Sequence, residues 1–552
     1  MDRSLPQGVR AIEEVAEELG IPCPHLIPYG RDIAKVEWEA VEQPRKRAGE
    51  SRLILVSGIT PTAAGEGKTT VAIGLADAFR LLERSVCLAL REPSLGPCFG
   101  IKGGGTGGGA AQVHPAERIN LHFTGDFHAV TSAHNLLAAL VDNHVYFDNP
   151  RGIDPRRIVW PRVLDMNDRS LRSIVTGLGG PPHGVPREAS FEITAASEVM
   201  AILCLATGWE DLRARLERIV VGFTYRGEPV RASELRAAGA MLALLRDAFL
   251  PNLVQTHAGT PALIHGGPFA NIAPGCNSLV ATQLALRRAD WVVTEAGFAF
   301  DLGAEKFFDI KCVTGQLDTA AVVLVATVRA LKIHGGARAE DASRPDVEAL
   351  RRGLPNLEKH IENIRHFGES PVVAINRHDT DAEEELAAVR ERCAQLGVPC
   401  ALAEPYQRGG EGCVPLARTV MAHAERTRRP FRPLYDWAEP PKEKILKVAR
   451  SMYGARGVVY TREAERDLEL VHRHGWDNLP VCLAKAPTSL SDDPKRVGRP
   501  ADFEVTVRRI QVSAGAGFLV VLLGDILRMP GLPRVPLAER IDLRGGAIVG
   551  LA

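Results

Sequence analysis

Residues 52–90 read RLILVSGITPTAAGEGKTTVAIGLADAFRLLERSVCLAL, and this stretch decides the fold. RLILVSGI (52–59) is an apolar, β-rich run, a Gly-rich turn follows, KTTVAIGLADAFRLL carries the apolar spacing of a helix, and SVCLAL (85–90) is a second apolar run. Strand, loop, helix, strand is the βαβ unit, whose crossover lays its two strands parallel. Short apolar strands recur between helical patterns at WVVTEAG (291–297), VVLVATV (322–328) and PVVAIN (371–376). The expected class is therefore α/β: a large phosphate-loop domain with a mostly parallel sheet covered by helices, plus smaller α/β domains.

The loop Thr60-Pro-Thr-Ala-Ala-Gly-Glu-Gly-Lys-Thr-Thr70 lies between strand and helix, the setting in which a phosphate-loop pattern carries meaning. Gly65 and Gly67 remove Cβ atoms, so backbone N–H groups can approach phosphate oxygens at the start of the following helix. Lys68 is placed to neutralise the terminal phosphates of ATP, and Thr69 to help hold Mg2+. The nucleotide-binding set is Thr62, Ala63, Ala64, Gly65, Glu66, Gly67, Lys68, Thr69 and Thr70. One position departs from G-x-x-x-x-G-K-[ST]: Thr62 stands where the first glycine would be. A Gly-rich turn with a surface lysine is the plain alternative, and a phosphate loop alone does not choose between a kinase, an ATPase and other nucleotide users.

At 552 residues the chain is long enough for roughly two to four domains. Lys+Arg 67 against Asp+Glu 67 leaves no global field to recommend nucleic acid or an acidic membrane surface as partner. The ten cysteines, among them Cys87, Cys98, Cys204, Cys276, Cys312 and Cys482, are scattered singly and read as reduced thiols of a cytoplasmic protein. MDRSLPQGVRAIEEVAEELGIP mixes acids into its apolar positions, so it reads as a surface helix and not a signal peptide. FLVVLLGDIL is broken at Gly524 and Asp525, short of the roughly 18 residues of a spanning helix. In EITAASEVMAILCLAT (192–207), Thr194 is placed to cap an almost wholly apolar, interior helix.

Loops are Gly/Pro-rich at 100–113, 177–188, 265–278 and 405–413, and several of them lie where a strand hands over to a helix, the ligand side of open α/β sheets. HGGARAEDASRP (334–345) is charge-rich and apolar-poor, the best candidate for a flexible connection. After Pro430 the elements shorten, and FEVTVRRIQV (503–512) with FLVVLL (518–523) suggests a smaller C-terminal domain. His114, His122, His128, His134 and His144 cluster without metal-ligand spacing, and satisfied imidazoles are favoured over metal ligation.

The run Arg91-Glu-Pro-Ser-Leu-Gly-Pro-Cys-Phe-Gly-Ile-Lys-Gly-Gly104 and the run Asn120-Leu-His-Phe-Thr-Gly-Asp-Phe-His128 resemble segments of formate–tetrahydrofolate ligases. The likeness continues through LDMND (164–168), GVPRE (184–188), NLVQT (252–256), HGGPFANIA (265–273), EKFFDIKC (305–312), NLEKHIENI (356–364), NLPVC (478–482), SLSDDP (489–494) and SAGAGF (513–518), from about Val56 to the end of the chain. The resemblance implies a monofunctional enzyme of one-carbon metabolism that phosphorylates formate with ATP and passes the formyl group to tetrahydrofolate. It further implies a cytoplasmic homotetramer, with no nucleic-acid or membrane partner. Lys68 and Arg91 would be catalytic, Arg91 holding formyl phosphate, for which a planar guanidinium suits an oxyanion better than a lysine. Glu92 and Asp126 match carboxylates of a site for K+ or NH4+, though buried acids also cap helices. Glu295, at a strand end, either orders Mg2+ or water as a Walker-B-type acid or serves structure alone. SLSDDP matches a segment near the nucleotide base and is equally ordinary turn chemistry.

The family's aromatic sandwich for the pterin, a Phe after AINR and a Trp before the Gly-Gly-Glu-Gly turn, reads here as His378 and Tyr406. Both are planar, but stacking area falls and one face becomes titratable. Pro274 and Ala299-Phe300 are further departures; the added phenyl either narrows a pocket or fills a core. The domains are expected at 1–355 (nucleotide and formyl phosphate), 356–435 (the folate pocket) and 436–552. Two readings stand: the active ligase, and a diverged homologue that binds nucleotide or folate without efficient formyl transfer.

Overall fold

The computed structural model describes residues 8–44, 51–63, 65–100, 105–426, 430–524 and 526–551; Ala64, residues 101–104 and the first seven residues of the chain lie outside them. Seven parallel strands make up most of a 12-stranded sheet and run to one of its edges: β1 (Arg52–Gly58), β2 (Val86–Leu90), β3 (Pro261–Ile264), β4 (Trp291–Glu295), β5 (Ala321–Ala326), β6 (Pro371–Asn376) and β7 (Cys400–Ala403). Their spatial order is β3-β2-β4-β1-β5-β6-β7. Asn252–Thr256 adds antiparallel to β3 and carries Ala34–Val36 beyond it.

Because both faces of this sheet are covered, the inner strands are apolar throughout: β2, β4, β5 and β6 have no exposed residue along their length. The helix Lys68–Leu81 covers one face, stacking Phe79 on Trp291 at 4.7 Å between centroids. The chain leaves β1 toward β2 on one side and returns to β5 on the other. The strand order therefore reverses at β1, and the crevice beyond the carboxyl ends opens there. A second sheet, ordered Gly457–Tyr460, Glu504–Ser513, Phe518–Leu523, Val481–Ala484, accounts for the late β-rich runs.

Two local expectations change, and the N-terminal surface helix forms as expected. The interior helix is Glu198–Leu205, and its cap is Ser197, whose Oγ accepts from Val199 N–H at 3.0 Å; Thr194 instead opens a 3-10 turn, Thr194–Ala196, that postpones the helix. Residues 335–345 form the tip of a helical hairpin. Val328–His334 and Val347–His366 approach so closely through Gly335 and Gly353 that a Cβ on either would overlap the partner backbone. The N-terminal helix, Ile12–Glu18, is amphipathic and docked, burying Ile12, Val15 and Ala16. All ten cysteines are free thiols. No helix among the described residues is long and apolar enough to cross a membrane.

Candidate active site

The phosphate loop follows β1 with Gly65 and Gly67 in the left-handed region, φ 75° and 71°, a conformation a side chain would strain. Gly67 also lies under Asn376, since a Cβ there would sit 2.5 Å from Asn376 Nδ2. Gly58 makes room at the strand end for the Lys68 stem, which passes where its Cβ would be. Glu66 is buried, and its carboxylate closes the loop on itself. Oε1 accepts from Thr62 N–H (2.8 Å) and Thr62 Oγ1 (3.0 Å), while Oε2 accepts from Thr327 Oγ1 (2.5 Å) at the end of β5. These bonds hold the turn at Thr62, where the usual pattern has glycine. Asn376, at the end of β6, donates to Glu66 O at 3.1 Å.

A cavity of about 620 Å3 opens at the carboxyl ends of β2, β4 and β1. Ala63, Gly65, Glu66, Gly67, Lys68, Thr69 and Thr70 line it on the loop side, with Arg91, Glu92 and Glu295 from the neighbouring strand ends. Thr62 stays behind the loop, and Ala64 is outside the described residues. Glu295 joins the two sides: its Oε2 accepts from Thr69 Oγ1 at 2.7 Å, and its Oε1 lies 3.6 Å from Arg91 Nη2. Arg91 Nε is buried without a hydrogen-bond partner, so the guanidinium presents an unused donor in this region. Ser94, on the same rim, is fixed by Asp165 of LDMND through Oγ (2.6 Å), and Leu95 N–H donates to the same carboxylate (2.9 Å).

Glu92 is buried with Oε2 unpartnered; desolvation raises its carboxyl well above the usual range, Asp126 adds to the rise and Lys35 opposes it. Asp126 begins the helix Asp126–Tyr146 and is already engaged: Lys35 Nζ donates to Oδ1 (2.8 Å) and Asn252 Nδ2 to Oδ2 (2.8 Å). The pair therefore fits a monovalent cation in part, through the free oxygen of Glu92, with Asp126 and Lys35 setting the charge behind it. Thr69 and Glu295 fit a divalent ion better, a hydroxyl and a carboxylate side by side on the nucleotide side.

His378 lies on the loop at the end of β6, and Tyr406 on the short helix Pro405–Arg408 that follows β7. Arg377 N–H donates to Ala403 O (2.9 Å), and Arg377 Nη1 reaches Glu404 Oε1 (3.2 Å). His378 is half-buried, with its N–H on Asp381 Oδ2. Tyr406 is 62% exposed, and its carbonyl accepts from Ala110 N–H at 2.8 Å. Neither side chain lines the 620 Å3 cavity, although Asn376 puts the loop of His378 one hydrogen bond from the phosphate loop.

Phe300 is wholly buried against Phe308 and Phe367, so it fills core. Ser489–Pro494 folds on its own side chains, Ser489 Oγ lying 3.2 Å from Ser491 Oγ, away from the cavity. His134, buried, stands 2.8 Å from Ser197 Oγ and 3.0 Å from Pro161 O, and burial lowers it to about 3, so it is a satisfied core imidazole. Sequence reasoning missed Lys35, which pairs with Asp126, and Phe298, Asn271 and Leu527 on the cavity wall. A lysine inside the apolar run IAKV was the one available signal.

Fold and site thus define an α/β protein with a glycine-cradled cavity, lined by Lys68 and Arg91 together with three glutamates, at the switch point of a parallel sheet. The model of the formate–tetrahydrofolate ligase family matches residues 4–552, nearly the whole chain, and the chain belongs to that family. It is a family of ATP-dependent carbon–nitrogen ligases acting on formate and tetrahydrofolate.

Proposed function

We propose that this chain joins formate to tetrahydrofolate through formyl phosphate made in the cavity between the phosphate loop and Arg91. The observation that carries the reading is the line Thr69–Glu295–Arg91, which sets a nucleotide-side hydroxyl and a guanidinium with a free donor on one carboxylate. Formate oxygen attacks the terminal phosphorus and ADP leaves. The folate amine then attacks the formyl carbon, the C–O bond to phosphate breaks, and the amine proton is released. Lys68 and Arg91 act by stabilising charge on the transferred group and by alignment, so no protein nucleophile is required. Mg2+ would be held by Thr69 with Glu295 and supplies neutralisation of phosphate charge. Glu92 would hold K+ or NH4+, with Asp126 anchoring Lys35.

The loops of 356–435 carry the pterin side, with His378 and Tyr406 facing the folate, 1–355 the nucleotide and formyl phosphate, and 436–552 the supporting domain. The reading goes with a homotetramer in the cytoplasm. Phosphate release by purified protein is the test: it is expected only when formate, ATP and tetrahydrofolate are all present, with formyltetrahydrofolate formed in equal amount. Binding of ATP or folate with no formyl product would establish the diverged binding protein instead.

A further inference from the structure

We propose that a second cavity, of about 460 Å3 and separate from the catalytic one, binds a small organic anion with an apolar body and acts on the catalytic cavity through a wall the two share. It lies between residues 157–161, the start of the helix Glu198–Leu205 and the strands Glu504–Ser513 and Phe518–Leu523. Its volume falls within the roughly 300–1,000 Å3 of small-molecule pockets. Ile158, Val220, Phe223, Ile272, Phe518 and Val520 supply the apolar lining.

The polar side is what selects an anion. Of four arginines at the cavity, two are engaged elsewhere: Arg187 forks onto Asp142 (2.9 and 3.0 Å) and Arg509 pairs with Asp467 (2.8 Å). The other two have capacity left. Arg157 lies over the Phe223 ring at 5.0 Å and has no carboxylate in ion-pair range among the described residues. Arg528 binds Glu192 (3.0 Å) and Gln511 through its terminal nitrogens, while its Nε is buried without a partner. An unfilled guanidinium N–H beside an apolar hollow is matched by an oxyanion on an apolar body. Of the acids at the hollow, Glu192 and Asp467 are the arginine partners just named, and Glu188 is exposed at its rim. Glu198 has its Oε1 accepting from Gly515 N–H (2.7 Å) and Ala516 N–H (3.1 Å), with desolvation raising its carboxyl to about 7, which reduces its repulsion of an anion near neutrality.

Two short segments separate the cavities. Phe269, Ala270 and Asn271 face the catalytic cavity, and the next two residues, Ile272 and Ala273, face the second one. Leu527 and Pro530 face the catalytic cavity, and Arg528 between them faces the second. An anion that fixes Arg528 therefore fixes the strip that carries Leu527 and Pro530, and catalysis senses it.

The probe is 8-anilinonaphthalene-1-sulfonate, one oxyanion on an apolar ring system, titrated by fluorescence into the full chain with Mg-ATP saturating. One saturable site that survives ATP is expected, weakened about tenfold or more by Arg157→Gln and by the cavity-filling Ala201→Phe. In wild type the bound probe should also change the KM for formate about twofold or more, and in Arg157→Gln it should not, at probe levels that saturate wild type only. Arg157→Gln, on a partly exposed side chain, keeps the test open if Ala201→Phe fails to fold. Complete displacement of the probe by ATP, or equal affinity in wild type and a folded Arg157→Gln, overturns the site. Binding that leaves KM unchanged overturns the shared-wall action.

Discussion

At the ends of β2, β4 and β1, the three carboxylates that face the cavity are buried, and two of them are tied in place, Glu295 to Thr69 and Arg91, Glu66 to Thr62 and Thr327, while Glu92 keeps an unpartnered oxygen. At the ends of β6 and β7, two and three strands along the same sheet from β1, His378 is half-buried and Tyr406 is 62% exposed, and the segments that carry them are joined mainly through Arg377. The difference teaches where change is tolerated. A charge or hydroxyl in the inner region has several partners that lose their bonds if it goes, whereas a ring on the outer loops can be exchanged for another planar group without unfolding anything. On the reading proposed above, the inner ends handle the phosphoryl chemistry and the outer ends the pterin.

The strongest way to break this comparison is Lys68→Met, which keeps side-chain length and removes the charge. Formate- and ATP-dependent ADP production should fall about 10³-fold, the scale on which a single transition-state contact acts, with the melting temperature close to wild type. Turnover within a few-fold of wild type would take the phosphate chemistry away from this loop. Next comes Arg91→Lys, for which kcat should drop about 10²-fold at saturating formate, since an ammonium cannot supply a planar pair of donors. An unchanged kcat would leave Arg91 as no more than the partner of Glu295.

The inner region's rigidity has its own test in Asp77, on the helix that follows the phosphate loop. Its Oδ1 accepts from Thr256 and Thr260 hydroxyls, both at 2.6 Å, its Oδ2 has no partner, and desolvation raises the carboxyl to about 6. An acid raised on folding keeps its proton while the unfolded chain loses it. Its stability contribution is full below about pH 4, falls as pH rises toward 6, and is level above; about two units correspond to about 3 kcal/mol. Asp77→Asn should remove that slope, so that mutant and wild-type stabilities, followed by denaturant unfolding, diverge between about pH 4 and 6 and run parallel from 6 to 7. Curves parallel throughout would show that Asp77 does not carry the proton.

Much of this was legible because the inner region speaks locally. RLILVSGI, the loop and the following helix fall within residues 52–82 and appear in the structure almost residue for residue, and the parallel sheet follows from apolar runs that need no partner to be recognised. What the sequence hid was long-range. Lys35 lies 91 residues from Asp126, and Thr327 lies 261 from Glu66, so neither pairing leaves a spacing to read. The 334–345 stretch misled through composition, because the tip of a helix hairpin is as polar as a linker. Thr194 misled because Ser197, three residues on, is an equally good cap and is the one whose backbone enters the helix. For the site, the motifs name Lys68, Thr69 and Arg91, while the joint hold of Thr69 and Arg91 on Glu295 appears only once the strand ends are side by side.

The smallest effect is expected at the outer loops, and it tests the comparison most closely. Replacing His378 by Phe and Tyr406 by Trp restores larger stacking faces, and such pairs contribute about 0.5–1.5 kcal/mol beyond area burial, so the double variant should bind tetrahydrofolate a few-fold tighter. The fold should not notice, because Tyr406 is 62% exposed and its backbone contact to Ala110 uses the carbonyl. His378→Phe alone should lower the KM for tetrahydrofolate by a smaller step than the double variant while leaving the KM for ATP unchanged. Asn376 is one route by which the change could reach the nucleotide side, since it bonds Glu66 O and precedes His378 by two residues; Tyr406, packed on Gly108 and Gly109 beside the cavity-lining Gly107, is another. A shift in the KM for ATP that matches the folate effect would mean the two regions respond as one, ending the division between fixed inner ends and exchangeable outer loops. Superimposable folate curves for wild type, single and double variants would instead move the pterin away from His378 and Tyr406, leaving both as surface side chains.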